Sequence, residues 1–471
     1  MRIQSVENQL EFQGLGTRRI VASFDGGTIT SDAGGLLLRE VDVRSRILQR
    51  FAACFVDRRE VSYAEHPVDQ LVAQRIYGLC LGYEDLNDHE QLRYDPLFGA
   101  LCEQSDVLGE HRRRERDTGK MLAGKSTLQR LESAPAEGAE LGRYHRIFHD
   151  PQAIEAFFVG HFLDHYNGGR QPGQIIIDLD ATDDPIHGSQ EGRFFHGFYN
   201  CYCYLPLYIF CEGYLLAAKL RRSNIDASFG ADGELGRIVA QIRQRWPATR
   251  IIVRADSGFA REWLMTWCEE NRVDYLFGMA RNKRLQRAIG KAMQEARLRF
   301  SSSGTPERVY TEFFYRTKKS WSRARRVIAK AEYIAGKENP RFVVTSLSRK
   351  RWPANRLYEE LYCARGEMEN RIKEQQLYLF ADRTSAGTIR ANQLRLWFSS
   401  VAYVLMHELR QVALVHSELA RAQCHSIRIK LLKVGARVVV STRRIVVHLA
   451  SGYPHRDLFT TALERIQTGF T

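Results

Sequence analysis

The stretch QIIIDLDATDD, at residues 174–184, limits what this chain can fold into more than any other part of the sequence. Its apolar start is typical of a buried strand, and it leads into Asp178 and Asp180. Alternate residues of a strand point to one face of a sheet, so both carboxylates are expected there. Buried carboxylates without a partner are costly and usually pair with a cation. The stretch therefore indicates either a metal site or a surface turn after an edge strand.

The segments that follow predict a sheet with a defined strand order. Residues 175–180, 199–210 and 214–220 are strand-like, and short connections favour three antiparallel neighbours. The elements that come next are helix, strand, helix and strand, at residues 233–246, 250–254, 262–271 and 275–279.

This order, β-β-β-α-β-α-β, is that of the ribonuclease-H-like fold, in which the first and fourth strands are adjacent. Asp180 and Asp256, one on or just after each of these strands, would then meet although they are 76 residues apart. The predicted fold class is α/β, with a ribonuclease-H-like catalytic core on a mixed five-stranded sheet. Asp178 is the alternative to Asp180, which is preferred because it lies nearer the strand end.

Changes of pattern divide the rest of the chain. A hairpin over residues 18–38 and apolar residues at helical spacing over 36–103 predict a helical N-terminal domain. Residues 297–348 alternate strand-like runs with turns, which indicates a β-rich basic insertion, and residues 427–450 predict a basic hairpin. The predicted segments are an N-terminal region (1–168), the first part of the core (169–290), the insertion (291–350), the last part of the core (351–415) and a C-terminal basic tail (416–471).

A further helix is predicted over residues 356–376. Its polar stripe, at spacings of three and four residues, consists of Tyr362, Arg365, Glu369, Lys373 and Gln376. The stripe is either a solvated face with an ordinary ion pair between Glu369 and Lys373, or it carries a third functional acid.

Basic residues exceed acidic ones, 69 against 55, which gives a net charge of +14 and favours a polyanionic partner. A basic cluster at 109–125 contains the pattern GxxxxGK[ST], but no buried strand precedes it, so a phosphate loop is excluded. The cluster more plausibly touches a phosphate backbone or solvent. Its candidate contact residues are Arg112, Arg113, Arg114 and Lys125.

Other classes of protein are disfavoured. No segment is long and apolar enough to cross a membrane, and the start of the chain does not resemble a signal peptide, so a cytoplasmic protein is expected. Nine cysteines without paired CxxC spacing indicate reduced core thiols rather than a zinc site.

Several stretches together resemble the DDE transposases of bacterial insertion sequences, most of all insertion-sequence family 1380. Part of the pattern is also known from a related cut-and-paste group with the motif Y-x2-R-x3-E. The matching stretches are DLDATDDPIHG (178–188), YLPLYIF (204–210), RADSGFAR (254–261) and the set Tyr362, Arg365 and Glu369.

The resemblance implies two-metal-ion phosphodiester chemistry, with DNA cleavage at the ends of the mobile element followed by strand transfer. Asp180, Asp256 and Glu369 would be the catalytic acids and would bind Mg²⁺, with Mn²⁺ as a substitute. Tyr362 and Arg365 would contact the DNA backbone near the cut. The related motif continues to a lysine.

This chain has Gln376 at that lysine position, and Lys373, one turn earlier, is the candidate substitute. In the insertion, Trp321 and its basic neighbours are either a DNA contact or an exposed hairpin without a role. The neighbours are Lys318, Lys319, Arg323, Arg325 and Arg326.

The partners implied are double-stranded DNA, as transposon-end inverted repeats and target, and a second copy of the chain in a homodimer on DNA. The implied location is the bacterial nucleoid. Two alternatives stay open: a transposase-derived DNA-binding protein that does not cleave, and a ribonuclease-H-like nuclease that cuts without joining strands.

Overall fold

The structure, a computed structural model, describes residues 9–136, 145–334 and 336–469. The chain divides into two compact units. The first unit consists of residues 1–132, 141–147 and 408–471, and the second of residues 133–140 and 148–407. Most of the predicted N-terminal region therefore shares a unit with the C-terminal tail.

The strands, in chain order, are β1 (Leu10–Leu15), β2 (Arg18–Ala22), β3 (Ile29–Thr30), β4 (Phe55–Asp57), β5 (Ile147–His149), β6 (Gln174–Ala181), β7 (Asp184–Pro185), β8 (Phe194–His196), β9 (Cys201–Tyr204), β10 (Leu207–Cys211), β11 (Tyr214–Lys219), β12 (Arg250–Ala255), β13 (Asp274–Met279), β14 (Glu307–Tyr315), β15 (Arg325–Ile334), β16 (Lys337–Glu338), β17 (Arg341–Thr345), β18 (Ala436–Ser441) and β19 (Arg444–Leu449).

The helices are α1 (Gly35–Ser45), α2 (Ile47–Ala52), α3 (Val68–Leu81), α4 (His89–Leu92), α5 (Pro96–Leu101), α6 (Lys125–Glu132), α7 (Pro151–His165), α8 (Ala231–Arg245), α9 (Glu262–Glu270), α10 (Lys283–Ala288), α11 (Gly290–Ser303), α12 (Ala354–Arg356), α13 (Gly366–Lys373), α14 (Ile389–Ala413), α15 (Cys424–Ile427) and α16 (Arg456–Gly469).

The second unit is built around a nine-stranded mixed sheet. Its strands lie in the order β11, β10, β6, β12, β13, β17, β15 and β14, and β16 pairs with β15. Strand β10 runs antiparallel to β6, whereas β12 is parallel to β6 with Arg254 opposite Asp178. The first and fourth predicted strands are therefore neighbours, as the sequence indicated.

The two faces of this sheet pack against different helices. Ile177 and Val253 belong to the larger core, which also contains apolar residues of α7, α8 and α9. Ile176 and Ile252, on the other face, pack with Leu357 in a smaller core. Because side chains alternate along a strand, Asp178 and Asp180 lie on the second face, which also carries the helical segment over residues 354–378.

Three predicted elements differ from the structure. The predicted second strand, 199–210, breaks near Pro206, because proline cannot donate a ladder hydrogen bond. Its first half, β9, belongs to a separate small sheet in the order β7, β9, β8, and its second half is β10. The strands of the predicted insertion extend the central sheet from five to nine strands, through the antiparallel pair β13 and β17.

The third difference is the predicted N-terminal hairpin over residues 18–38, which is wrong. Strand β2 pairs backwards with β1, and β3 pairs with β18 from the C-terminal tail. The first unit otherwise contains helices α1 to α6 and the predicted basic hairpin, β18 and β19. Gly34 is required here, because a Cβ would lie 2.1 Å from the Leu431 carbonyl oxygen.

No helix within the described ranges is long and apolar enough to cross a membrane. The nine cysteines, all of them in the described part of the chain, form no disulfide, and seven of them are buried. Burial raises the pKa of Cys203 to about 12, as expected for a core thiol rather than a reactive one.

Candidate active site

The two aspartates predicted from the strands lie at the ends of neighbouring parallel strands. Asp180 is on β6, and Asp256 follows β12 directly. One Asp180 oxygen accepts a hydrogen bond from the Ala181 amide at 3.0 Å, and one Asp256 oxygen accepts one from the Gly258 amide at 2.8 Å. One oxygen of each carboxylate is thus held by a hydrogen bond from a backbone amide.

The third acid comes from the helical segment over residues 354–378. A π-helical turn at Leu357–Tyr362 and a 3₁₀ turn at Cys363–Arg365 precede α13, which carries Glu369. Arg365 donates to Asp180 at 3.3 Å and to Glu369 at 2.6 Å. The guanidinium therefore joins the first acid to the third.

The three acids are near enough for the charges of Asp256 and Glu369 to act on Asp180. Burial raises the pKa of Asp180 to about 6; Arg365 opposes this, and the charges of Asp256 and Glu369 raise it further. A carboxylate whose pKa is raised by burial and by two other acids is typical of a functional site.

Asp178, the alternative first acid, is already paired. Its two oxygens accept hydrogen bonds from Arg254 at 2.5 and 2.7 Å, and both side chains are only 7% exposed. A third nitrogen of Arg254 donates to the Leu361 carbonyl in the π-helical turn. Asp178 therefore holds structure together, whereas Asp180, at 17% exposure, reaches the surface of the site.

The backbone of β13 lies very close to its neighbours beside the second acid, Asp256. A Cβ on Gly278 of β13 would lie 2.4 Å from the Tyr362 hydroxyl and 3.0 Å from the Ser257 amide nitrogen. Tyr362 is half-buried, and burial raises its pKa. Its hydroxyl thus lies against Gly278, beside the loop of Asp256, and not in open solvent.

The two candidates for the lysine position differ in their surroundings. The Gln376 side chain donates to the Asp183 carbonyl at 2.9 Å, which ties the end of the helical segment to the chain after the first acid. Lys373 is exposed.

The basic residues predicted in the first unit are not equivalent. Arg112 is 5% exposed, lies 3.4 Å from Glu65 and donates to His66 at 2.8 Å, so it is structural. Arg113 stacks 4.5 Å above the Tyr63 ring.

The other two predicted residues of the first unit, Arg114 and Lys125, are exposed. The Lys125 ammonium donates to the Asn87 side chain at 3.0 Å. Of the four predicted contacts, Arg112 is thus the one whose side chain is withdrawn from the surface.

Of the six residues of the predicted DNA contact around Trp321, three are buried and three are exposed. Trp321 is 5% exposed and packs against Tyr315. Arg325 is buried in ion pairs with Glu262 and Glu269, and Arg326 in one with Glu312. Their guanidinium groups are therefore committed to the protein core. Of the remaining basic residues of that set, Lys318, Lys319 and Arg323 are exposed.

Sequence reasoning missed three residues of the site. Arg254 stands in the stretch RADSGFAR, two residues before Asp256, and its charge on a buried strand was a usable signal. Gly278 lies inside a predicted strand, where an isolated glycine indicates close approach. Tyr199, whose hydroxyl donates to the Ala181 carbonyl at 3.4 Å, gave no signal.

The residues present fit a divalent cation. Three acids lie on one side of the sheet. Burial raises the pKa of Asp180 and the charges of Asp256 and Glu369 add to this, so a cation would stabilise the charged form. Arg365 spans two of the acids and would share them with a bound cation.

The comparison with protein families decides the relationship. A family model described as "Transposase DDE domain group 1" matches residues 12–469. The chain belongs to this transposase family. A comparison with curated protein sequences gave no match.

Among solved structures, this DDE-family chain is similar to piggyBac transposase in its synaptic complex with hairpin DNA, determined by cryo-electron microscopy. The TM-score is 0.39 and the sequence identity 11%, over 86% of this chain and 80% of that chain.

We expect Asp180→Asn to stabilise the metal-free protein at pH 7.5 but not at pH 4. The folded-state pKa of about 6 lies above the ordinary aspartate value of 3.8, so between these values the folded protein holds a proton that the unfolded chain releases. The protonated group therefore stabilises the fold at low pH, and this contribution is lost as the pH rises between the two pKa values. Unfolding in EDTA at both pH values measures the difference between variant and wild type; a pH-independent difference would contradict the assignment.

Gly278→Ala is expected to destabilise the second unit by about 1–3 kcal/mol, the usual cost of overpacking, and to slow cleavage. The added Cβ meets the Tyr362 hydroxyl and the loop after Asp256. Gly290→Ala, where a Cβ meets nothing within 4 Å, is the control. Adding Tyr362→Phe removes the nearest atom and should restore part of the stability. Equal unfolding midpoints for both glycine variants would show that no close approach exists.

Proposed function

We propose that this protein is a DDE transposase that cleaves DNA at the ends of an insertion sequence and transfers the cut strands into target DNA. The observation that supports this most strongly is that Asp180 and Asp256 lie at the ends of neighbouring parallel strands. Arg365 joins Asp180 to Glu369 through hydrogen bonds of 3.3 and 2.6 Å. This arrangement occurs in a chain whose family match spans residues 12–469. A resemblance to insertion-sequence family 1380 narrows the proposal to bacterial elements.

The proposed ligands of Mg²⁺, or of Mn²⁺ in its place, are Asp180, Asp256 and Glu369. Two divalent ions at such a site activate the attacking oxygen and stabilise the leaving one. The chain itself supplies two carboxylates held by backbone. The Ala181 amide donates to one oxygen of Asp180, and the Gly258 amide donates to one oxygen of Asp256. Arg365 donates to the other oxygen of Asp180 and to Glu369.

Arg365 and Lys373 are the proposed DNA contacts beside the acids. Arg365 would present a planar donor fork suited to a phosphate if a bound cation took its place at Asp180. Lys373 is exposed one turn beyond Glu369 and is the better candidate for the lysine role, because Gln376 is engaged with Asp183. Tyr362 is proposed to position the loop of Asp256 rather than to reach far into the DNA.

In the first unit, the proposed backbone contacts are Arg113, Arg114 and Lys125. Arg114→Ala is expected to weaken DNA binding and to lower the salt slope by about 0.9, the value per phosphate contact on duplex DNA. Its unfolding midpoint should not change. Arg112→Ala should instead lower the midpoint, because Arg112 is buried against Glu65 and His66. Fluorescence anisotropy across a salt series, beside thermal unfolding, measures both, and a flat salt response would contradict DNA binding.

A strand-transfer assay separates this proposal from its alternatives. Wild-type protein is incubated with Mg²⁺, a labelled DNA that carries the element's own ends and an unlabelled target plasmid. Joined product supports the transposase. Cut but unjoined DNA indicates a nuclease, and bound but uncut DNA indicates a non-catalytic binding protein. Two ends must be held together for joining, so a homodimer on DNA, acting at the bacterial nucleoid, is part of the proposal.

A further inference from the structure

The small sheet formed by β7, β9 and β8 presents exposed aromatic rings directly after the first acid. Phe195 and Tyr202 are a cross-strand pair with ring centroids 5.6 Å apart, and both rings are about half exposed. Phe198, in the loop between the two strands, is 85% exposed. Large rings rarely gather on the surface of a protein without a partner.

The rings adjoin the proposed active site. Tyr199, next to Phe198, has its ring 5.0 Å from that of Phe198 and donates to the carbonyl of Ala181, the residue after Asp180. Burial raises the pKa of Tyr199 to about 12, and the charges of Asp183, Asp180 and Asp256 contribute. The aromatic face and the acids are therefore connected through one side chain.

Positive charge accompanies the rings. The Arg193 guanidinium lies 4.9 Å above the Tyr202 ring. Arg222 is exposed and packs on Gly192, where a Cβ would lie 3.1 Å from its Nε. Exposed rings beside guanidinium groups are the combination that binds single-stranded nucleic acid, in which bases stack on rings while cations follow the backbone.

We propose that Phe195, Phe198 and Tyr202 form a stacking platform for unpaired bases of the DNA strand beside the cut. Bases in an intact duplex already stack on one another, so exposed ring faces gain only from bases that have left the helix. The platform rests on the proposed function for its substrate, and it adds that the enzyme binds DNA opened next to the scissile bond. A protein partner on the same face is the competing occupant.

The test uses three DNA probes with the full-length protein. One is a forked duplex with a single strand of about ten thymidines, one is the same fork, with the same phosphates, but with abasic sites, and one is a blunt duplex. Wild type is expected to bind the thymidine fork at least about fivefold more tightly than the abasic fork, since one stacked base contributes about 1–3 kcal/mol. Phe198→Ala/Tyr202→Ala should remove that preference and leave blunt-duplex binding unchanged.

Two controls keep the result specific. Phe198→Trp should retain the preference, because it keeps a ring, and Phe314→Ala, at an exposed aromatic on β14, should have no effect. Equal binding of both forks by wild type overturns the platform, as does a preference that survives the double variant. A double variant that keeps the preference but changes oligomeric state assigns the face to a second copy and also overturns it.

Cleavage of end-containing DNA is measured in parallel to separate this inference from the proposed function. If the wild type shows no base preference but cleaves, the transposase proposal stands and the platform is refuted. If the wild type shows a base preference that the double variant loses, but does not cleave under Mg²⁺ or Mn²⁺, the platform stands and the proposed function is refuted.

Discussion

Arg254→Met is expected to lower the free energy of unfolding by about 3–5 kcal/mol, the range typical when one partner of a buried ion pair is removed. The guanidinium forms two hydrogen bonds with Asp178 and a third with the Leu361 carbonyl. Methionine fills a similar volume but leaves a buried carboxylate and a buried carbonyl without partners.

Urea denaturation at pH 7.5 measures the loss, with Arg356→Met as the matched control. Arg356 pairs with Glu360 on the same helical segment, but both side chains are more than half exposed, so that variant should lose less than about 1 kcal/mol. Asp178→Leu combined with Arg254→Met should recover part of the stability, since an apolar pair can replace a buried ion pair. Equal losses for Arg254→Met and Arg356→Met would show that the buried interactions of Arg254 stabilise the protein no more than an exposed ion pair does.

The contacts of Arg254 with Asp178 and Leu361 are also expected to affect catalysis. Arg254 stands two residues before Asp256, Asp178 stands two residues before Asp180, and Leu361 is in the helical segment that carries Glu369. One guanidinium thus connects the three elements that supply the acids. Arg254→Lys keeps the charge but loses the planar fork, so it should slow cleavage even where the protein remains folded.

The second large effect is expected from Asp256→Asn, which should reduce cleavage by roughly 10²–10³-fold, the usual cost of losing one charge-stabilising group in an active site. Asparagine conserves volume and can still accept the Gly258 amide hydrogen bond, so folding and DNA binding should persist. Cleavage of labelled end-containing DNA and anisotropy on the same DNA measure the two properties. Wild-type cleavage by the variant would refute the site.

A metal-rescue experiment makes the cause specific. Asp256→Cys replaces an oxygen ligand with a softer thiolate, which Mg²⁺ accepts poorly and Mn²⁺ tolerates better. Cleavage by this variant is expected to return in part with Mn²⁺ and not with Mg²⁺. The same lack of activity in both metals, with the fold intact, would argue against direct ligation by this residue.

The sequence predicted the centre of the second unit well because local pattern and burial agree there. The apolar run before Asp178 is typical of a buried strand, and the helices α8 and α9 show clear apolar periodicity. The adjacency of β6 and β12 came from fold analogy, and the observed register, with Arg254 opposite Asp178, agrees with it.

Long-range pairing was beyond the sequence. Residues 29–30 look like a hairpin partner for their neighbours, yet they pair with a strand more than 400 positions later. Nothing local signals such a partner, because strand residues of one type fit many registers. Burial of single charges was equally hidden: Arg112 and Arg114 stand in one basic run, but only Arg112 is withdrawn against acidic and aromatic neighbours.

Within the candidate site, the sequence indicated which side chains matter but not which partners they contact. The choice between Asp178 and Asp180 depends on Arg254, whose partner is visible only in three dimensions. The same holds for Gln376, which contacts the Asp183 carbonyl from 193 residues away.

Magnesium-dependent cleavage of end-containing DNA by the wild type and by Asp180→Asn, Asp256→Asn and Glu369→Gln, on one gel, tests the proposed site most directly. Glu367→Gln, an exposed acid on the same helix as Glu369, is the control. Because the three acids are proposed to act together, we expect each of these variants to lose cleavage and the control to cleave at the wild-type rate. Wild-type cleavage by any one of the three, with DNA binding retained, would contradict it.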